Sequence, residues 1–294
     1  MRGREARVAV VVVTRNRRPE LLTTLARLRA LPERPPVMVV DNASTDGTAR
    51  AVRERFPEVE VLALQENAGG AGRTAGVERV RAPYVAFADD DSWWEPGSLA
   101  RAADLFEAHP RLGLIAARIL VGPEEREDPV CAAMEASPLP ADLELPGPPV
   151  LGFLACGAVV RREAYLQAGG FHARMMIGGE EALLAADMAA AGWSLAYVRN
   201  LTARHHPSTV RDRSARLRGE VRNALWFAWM RRPVPPAARL TLRAARASLR
   251  DAHARAGLLE ALRALPWALR ERRTLPPHVE RGLKTLDRKR DSAL

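Results

Sequence analysis

Residues 8–48 read VAVVVVTRNRRPELLTTLARLRALPERPPVMVVDNASTDGT, and this stretch decides the fold. The β-branched run Val8–Val13 is typical of a buried parallel strand. Leucines at helical spacing predict a helix over 19–31, and Val37–Val40 predicts a second buried strand. A strand, a helix and a further strand in this order indicate the start of an α/β domain with a parallel sheet.

The same alternation continues as far as residue 88. Further strands are predicted at Val59–Leu64 and Tyr84–Ala88, with helices over Thr48–Arg55 and Gly72–Arg81. We therefore predict an α/β fold with a single Rossmann-like, mostly parallel sheet flanked by helices. Ligands of such sheets bind beyond the carboxyl ends of the strands, so the polar residues that follow each strand are the candidates for a site.

Composition and charge exclude several classes of protein. The chain has 294 residues, of which 47% are hydrophobic and 27% are charged, as in a globular protein. The formal net charge is +10, yet residues 1–230 hold 29 basic and 29 acidic side chains, whereas residues 231–294 hold 16 and 6. A nucleic-acid partner is therefore not expected for the bulk of the chain.

The cysteines and the apolar runs bear on the compartment. The two cysteines, Cys131 and Cys156, exclude a disulfide-stapled scaffold and a cysteine-based zinc site. Val8–Val13 is too short for the core of a signal peptide, and no run of about 18 apolar residues is present to span a membrane. We expect a cytoplasmic protein.

Polar clusters follow three of the predicted strands. They read DNASTDGT at 41–48, NAGGAGR at 67–73 and DDD at 89–91. Each cluster alone also fits a turn or a helix cap, but three at one sheet edge would converge on one crevice. The glycines of 67–73 follow the third strand and lack the full dinucleotide fingerprint, which argues against a nicotinamide dehydrogenase.

The aspartate triplet indicates a metal. Adjacent carboxylates repel one another unless a cation neutralises them, and hard oxygen ligands suit Mg²⁺ or Mn²⁺. A solvated acidic turn before the helix near Pro96 is the alternative.

Further along, residues 178–181 read GGEE and open a helix, where a carboxylate is stabilised in its charged form and can act as a base. His205 and His206 follow a strand and are either surface residues or metal ligands.

Taken in order, these segments resemble the family 2 inverting glycosyltransferases with the GT-A fold. The resemblance covers about residues 8–230, and the 67–73 segment is similar to that of rhamnosyl- and galactofuranosyl-type members. It implies a donor such as a UDP-sugar or dTDP-sugar, with Mn²⁺ or Mg²⁺ as cofactor. The residues it assigns to the nucleotide sugar are Thr14, Arg15, Asn16, Asp41, Asp46, Asn67, Gly70, Arg73, Asp89 and Asp90. Those it assigns to the metal are Asp89, Asp91 and His205, with His206 as the alternate.

The resemblance also implies the reaction. A carboxylate takes the proton of an acceptor hydroxyl as it displaces the nucleoside diphosphate in line, which inverts the anomeric centre. Glu181 is assigned as this base and Glu180 is the alternative; the family usually has Glu-Asp here. The acceptor, which is a glycan, a lipid-linked or a small molecule, is assigned to Trp93, Trp94, Gly157, Gly170 and Phe171, although both tryptophans also fit ordinary packing. Two other functions stay open: a nucleotidyltransferase acting on sugar phosphates, and a non-catalytic nucleotide-sugar-binding protein.

The predicted organisation has three parts. Residues 1–110 form the nucleotide-sugar-binding half, residues 111–230 the acceptor-binding half with the base, and residues 231–294 a basic helical tail. In the tail, Arg239, Arg243, Arg246 and Arg250 recur at helical spacing. Such a helix can contact the inner face of an anionic membrane as a peripheral element. Alternatively, it packs on the catalytic domain or on a second subunit of a homo-oligomer.

Overall fold

A mixed sheet of nine strands runs through the computed structural model, which describes residues 6–208 and 213–292. The strands are β1 (Val8–Thr14), β2 (Val37–Asp41), β3 (Glu60–Ala63), β4 (Tyr84–Asp89), β5 (Ser92–Trp94), β6 (Leu112–Val121), β7 (Arg126–Glu127), β8 (Ala158–Arg161) and β9 (Ser194–His205). The helices are α1 (Arg18–Arg29), α2 (Thr48–Arg55), α3 (Gly72–Arg79), α4 (Ser98–Ala108), α5 (Pro129–Glu135), α6 (Arg162–Gln167), α7 (Glu180–Ala190), α8 (Arg213–Arg231), α9 (Val234–Ser248), α10 (Ala252–Arg263), α11 (Leu265–Arg270) and α12 (Pro277–Ser292).

The strands lie in the order β3-β2-β1-β4-β8-β6-β9-β5, and β7 pairs with the outer part of β6. The first four are parallel, as their β-branched runs predicted, and β6 is parallel to β9. Antiparallel β8 joins these two parallel groups, and antiparallel β5 extends the sheet beyond β9. The predicted α/β class is confirmed, with a Rossmann-like first half and a mixed second half.

The core lies on both faces of the sheet because side chains of β1 alternate between them. Val10 and Val12 contact the cluster formed with α1, α2 and α4, whereas Val11 contacts the opposite cluster formed with α3, α6 and α7. Helix α3 lies very close to β1: a Cβ added at Gly76 would come within 2.6 Å of Cγ1 of Val11. The glycine at this position therefore serves packing between helix and sheet.

The predicted tail folds as a helical appendage that packs on α7 and α8, which is one of the arrangements that the sequence left open. Apolar side chains of α10 and α11 join a cluster with α7 and α8, and those of α12 join a second cluster on α7. Arg231 binds both carboxylate oxygens of Asp187, and Arg232 binds Glu280. Across 6–208 and 213–292, no helix is both long and apolar enough to cross a bilayer.

Candidate active site

The register of the sheet brings the predicted polar residues to one edge. Thr14 pairs with Asp41 in the β1–β2 ladder, and Val13 pairs with Asp89 in the β1–β4 ladder. The carboxyl ends of these three strands therefore finish at the same level. The predicted polar residues that follow β1, β2 and β4 therefore lie at one edge of the sheet.

The three aspartates after β4 have different surroundings. The carboxylate of Asp89 pairs with the guanidinium of Arg73. Asp90 turns inward, where its Oδ2 accepts a hydrogen bond of 3.0 Å from Thr14 and its backbone oxygen accepts one of 2.8 Å from Thr24. Burial, followed by the charge of Asp91, raises the pKa of Asp90 to about 7. The sequence predicts that Thr14 and Asp90 bind the nucleotide. In the structure both side chains are buried and hydrogen-bonded to each other, so they attach β1 to the turn between β4 and β5.

Asp91 is held by the segment that follows β9. The amide of Ser208 donates to Asp91 Oδ2 at 3.0 Å, and the amide of His206 donates to its backbone oxygen at 2.8 Å. Nε2 of His205 lies 3.3 Å from Asp91 Oδ1, and Arg17 approaches the other carboxylate oxygen at 3.8 Å. The ring of His206 instead contacts that of Trp93, with centroids 4.7 Å apart. Of the two histidines, His205 is therefore the one beside the carboxylate.

The Asp91–His205 pair fits a divalent cation. Two ligands at about 2.1 Å from an octahedral ion are roughly 3 Å apart when adjacent, close to the 3.3 Å between these two atoms. No group of three or more His, Cys, Asp or Glu side chains suited to a metal occurs in the described part of the chain. A cation here would complete its shell with phosphate oxygens and water, as Mg²⁺ and Mn²⁺ usually do. Asp89, also expected as a ligand, is engaged by Arg73.

The two loops that follow β1 and β2 are tied together at the crevice. Oδ1 of Asn16 accepts the Thr45 amide at 2.7 Å, and Oδ1 of Asp41 accepts the Ser44 amide at 2.9 Å. Asp46 accepts the Thr48 amide at the start of α2, at 3.0 Å. These bonds position the buried Asp41 and the exposed Asn16 at the rim, whereas the adjacent Arg15 extends into solvent.

The glycine loop before α3 connects the crevice to the start of α7. Oδ1 of Asn67 accepts the Gly69 amide at 3.0 Å, and the Gly70 amide donates to the Met176 oxygen at 2.7 Å. A Cβ at Gly70 would lie 2.9 Å from that oxygen and 3.1 Å from Oε1 of Glu180. Glycine is needed at position 70 because the loop and the carboxylate segment touch there.

The two glutamates differ in exposure. Glu180 is 4% exposed, and burial together with the charge of Glu181 raises its pKa to about 8. Glu181 is half-buried, and burial raises its pKa as well. Gly178 and Gly179 adopt positive φ values of 100° and 89° immediately before them, which lets the chain turn into α7.

Arg73 joins the aspartates to the glutamates. It is buried with its guanidinium 5.5 Å from the centre of the Phe171 ring. Burial alone would lower the pKa of Arg73, but the charges of Asp89, Glu180 and Glu181 outweigh it and raise that pKa. One arginine thus balances carboxylates contributed by β4 and by α7.

The residues expected to contact the acceptor pack mostly within the protein. Trp94 is 1% exposed and its indole donates to the Phe87 oxygen at 3.0 Å, so it belongs to the core and offers no face for stacking. A Cβ at Gly170 would lie 2.6 Å from Oγ1 of Thr74, and one at Gly157 would lie 2.6 Å from Cγ1 of Ile119. Phe171 is buried beneath Arg73, whereas Trp93 is only half-buried. Trp93 is the one member of this set with a partly open ring.

Asn223 of α8 is a positioning residue that sequence reasoning missed. Its buried amide nitrogen donates to the oxygens of Met175 and Gly178, at 2.6 Å and 2.7 Å. These bonds fix the segment that leads into Glu180 and Glu181. A separation of 45 residues between Asn223 and Gly178 leaves no local spacing that would reveal the contact.

Replacing Asn223 by Ala is expected to loosen this segment. The Gly178 oxygen would lose this donor, and the Met175 oxygen would keep only its bond of 3.2 Å from Arg222, which costs about 1–3 kcal/mol of unfolding free energy. We expect kcat to fall about tenfold or more, because the glutamates would no longer be held in place. Chemical denaturation and steady-state kinetics measure the two effects, and Asn223→Ser is the partial-rescue control. A wild-type kcat in Asn223→Ala would contradict the positioning role.

The comparisons with known proteins agree with this geometry. The model of the family described as "Glycosyl transferase family 2" matches residues 9–168. The chain is a family 2 glycosyltransferase. It is 31% identical over 267 residues to an N-acetylglucosaminyl-diphospho-decaprenol L-rhamnosyltransferase of Mycobacterium tuberculosis, with 76% of this chain and 87% of the relative covered.

Solved structures agree with the fold of this glycosyltransferase. The mannosyltransferase PcManGT of Pyrobaculum calidifontis, solved with GDP-Man and Mn²⁺, gives a TM-score of 0.57 at 20% identity, over 97% of this chain and 76% of that one. Residues 1–349 of TarS of S. aureus, solved with UDP-GlcNAc, give 0.57 at 18% identity, over 89% and 73%. Membership of the family makes the protein an enzyme that uses nucleotide sugars, which excludes a nucleotidyltransferase and a non-catalytic binding protein.

Proposed function

We propose that this glycosyltransferase transfers a sugar from a nucleoside diphosphate to an acceptor hydroxyl with metal assistance and inversion of the anomeric centre. The proposal rests on two clusters of acidic side chains, one at the end of β4 and one at the start of α7, which meet at the buried Arg73. Asp91 follows β4 and faces His205 at the end of β9, whereas Glu180 and Glu181 begin α7. The charges of both glutamates raise the pKa of Arg73, which also forms an ion pair with Asp89.

Each part has a chemical task. Asp91 and His205 would hold a divalent cation, which would supply Lewis acidity toward the leaving diphosphate. Glu181 accepts the proton of the acceptor hydroxyl, because it is the more exposed of the two glutamates. Asp41 and Asn67 are proposed to line the nucleoside side, with residues 1–110 as the donor half and 111–230 as the acceptor half.

The donor and acceptor are proposed from the mycobacterial relative. Its name describes rhamnosyl transfer to a sugar carried on a polyprenyl diphosphate. We propose a dTDP-sugar or a UDP-sugar as donor, a lipid-linked sugar as acceptor, and a place in cell-envelope polysaccharide synthesis. Trp93, next to Asp91 and partly open, is the aromatic side chain proposed to contact the acceptor.

A donor screen tests the proposal. Thermal shifts are measured with dTDP-, UDP- and GDP-sugars, each with Mn²⁺ and with EDTA, and the best donor is then used for transfer. We expect stabilisation by a dTDP- or UDP-sugar that depends on Mn²⁺, and a product whose anomeric configuration by NMR is opposite to that of the donor. Stabilisation independent of metal would contradict the cation, and retained configuration would contradict direct displacement.

We further propose that the surface of α9 contacts an anionic membrane, where a lipid-linked acceptor is found. Leu242 is 52% and Leu249 is 81% exposed, one above the other on the helix. Arg239, Arg246 and Arg250 lie nearby in sequence and form no ion pair with the described residues, whereas Arg243 pairs with Asp291. Exposed leucines among arginines suit the interface of an anionic bilayer.

Liposome co-sedimentation tests this contact with the full chain, because the tail helices form part of the core. We expect binding to phosphatidylglycerol vesicles, less to phosphatidylcholine vesicles, and a several-fold loss in Leu242→Ser/Leu249→Ser. Leu143→Ser is the matched control, since Leu143 is 100% exposed but lies far along the chain from α9. Equal sedimentation of the double variant and the wild type would contradict the contact.

A further inference from the structure

A second polar cleft lies apart from the residues described above. It has a volume of about 530 Å³ between the start of α4, strand β6 and a bulge in β9. Its charged lining consists of Arg101, Arg118 and Arg199. The aspartates, glutamates and histidines of the candidate active site are not among its lining residues.

The bulge in β9 creates the cleft. Ala117 pairs with Val198, but the next residue of β6, Arg118, pairs with Thr202, so residues 199–201 are inserted into β9. Leu201 is buried in the core, whereas Arg199 and Asn200 are exposed. A bulge re-aims side chains and is a local feature that a sheet adopts at specific sites.

Arg118 has an unused hydrogen-bond donor in this cleft. Its Nη2 donates to Oγ1 of Thr202 at 3.1 Å. Its Nε is buried and has no hydrogen-bond partner within residues 6–208 and 213–292. A buried donor without an acceptor is costly, and a bound acceptor would relieve that cost.

The charges of the cleft are only partly balanced. Arg199 is paired with Glu127 and Glu135. Neither Arg101 nor Arg118 has a carboxylate within 4.0 Å in the described part of the chain. The first turn of α4 adds the positive end of a helix dipole beside Ser98. The cleft therefore presents two uncompensated guanidinium groups to any ligand.

We propose that this cleft binds a phosphate group of a ligand, separately from the donor diphosphate at Asp91. Guanidinium groups donate paired hydrogen bonds to phosphate oxygens, and arginine is the side chain best suited to that geometry. Arg118 supplies the half-buried contact, and Arg101 supplies an exposed charge at the rim. The same chemistry serves a soluble phosphate and the phosphate headgroup of a lipid.

Isothermal titration calorimetry with sodium pyrophosphate in EDTA tests the site. EDTA removes any cation from Asp91, so metal-mediated binding at the candidate active site is absent, and the arginine variants locate the binding that remains. We expect Arg101→Gln and Arg118→Gln each to raise Kd at least about tenfold, as expected for loss of one charge-assisted bond. Arg29→Gln, at an exposed arginine whose one ion-pair partner among the described residues is Glu58, is expected to leave Kd unchanged.

The outcomes separate the alternatives. Absence of heat with the wild type, or equal Kd in Arg101→Gln and wild type, would each overturn the proposal. Arg101 is exposed on α4, so its replacement keeps the result interpretable if Arg118→Gln fails to fold. Short-chain phosphatidic acid is titrated in parallel. If phosphatidic acid binds more tightly than pyrophosphate and Arg101→Gln abolishes this binding, the site is assigned to a lipid headgroup. If phosphatidic acid binds more weakly, the site is assigned to a soluble phosphate.

Discussion

Replacing Glu181 by Gln is expected to lower kcat by about 10²–10⁴-fold, the usual contribution of a general base. Glutamine keeps the size of the side chain but cannot accept the proton of the acceptor hydroxyl. The Kd of the donor sugar is expected to stay within a few-fold of the wild-type value, because Asp91 and His205 are unaffected. Steady-state transfer assays measure kcat, and thermal shifts at increasing donor concentration with Mn²⁺ measure the Kd of the donor.

The pH profile gives an independent reading of the same residue. Burial raises the pKa of the Glu181 carboxyl above its ordinary value of 4.5. A base works only when deprotonated, so kcat of the wild type is expected to fall as the pH decreases through this raised pKa. In Glu181→Gln we expect the residual kcat to show no such decrease at low pH.

Glu180→Gln is the matched control. Because the pKa of Glu180 is raised to about 8, its carboxyl is largely protonated at pH 7, and a neutral amide resembles that state. We expect kcat within a few-fold of the wild-type value. Near-normal turnover of Glu181→Gln together with an inactive Glu180→Gln would reverse the assignment and make Glu180 the base.

Much of the first half of the sheet could be predicted from sequence because its signals are local. The β-branched runs that became β1 and β2 are buried on both faces, so they carry no polar interruption that would obscure the strand. Parallel strands then bring their carboxyl ends together, so the sequence predicts Asp41 and Asp89 at one edge of the sheet, where the structure has them. The position of the acidic and glycine clusters at this edge follows from the parallel topology alone.

Side-chain direction within the site could not be predicted in this way. Three consecutive aspartates leave β4, and only the tight turn into β5 decides that Asp90 faces Thr14 while Asp91 faces His205. Trp93 and Trp94 are likewise adjacent in sequence, yet strand alternation buries one and leaves the other partly open. The contact of Asn223 with the segment before Glu180 depends on how α8 packs, which is a long-range property.

Replacing Asp91 by Asn is expected to remove the response of the protein to metal. The carboxylate is oriented by the amide of Ser208 and faces Nε2 of His205, so it is the aspartate of the triplet best placed to hold a cation. Loss of metal assistance removes several kcal/mol of stabilisation from the leaving diphosphate, which corresponds to about a 10³-fold lower kcat. The Mn²⁺-dependent thermal shift with the donor should disappear in parallel.

The adjacent Asp90→Asn variant distinguishes a metal ligand from mere negative charge in the crevice. Asp90 is turned to Thr14, and asparagine keeps a side-chain oxygen that can accept the hydrogen bond from Thr14. If the cation binds through Asp91 and His205, Asp90→Asn keeps the Mn²⁺-dependent shift and most of kcat, whereas His205→Ala weakens the apparent affinity for Mn²⁺ by about 10–100-fold. Equal losses in Asp90→Asn and Asp91→Asn would mean that the triplet acts through its summed charge, and the two-ligand site would be wrong.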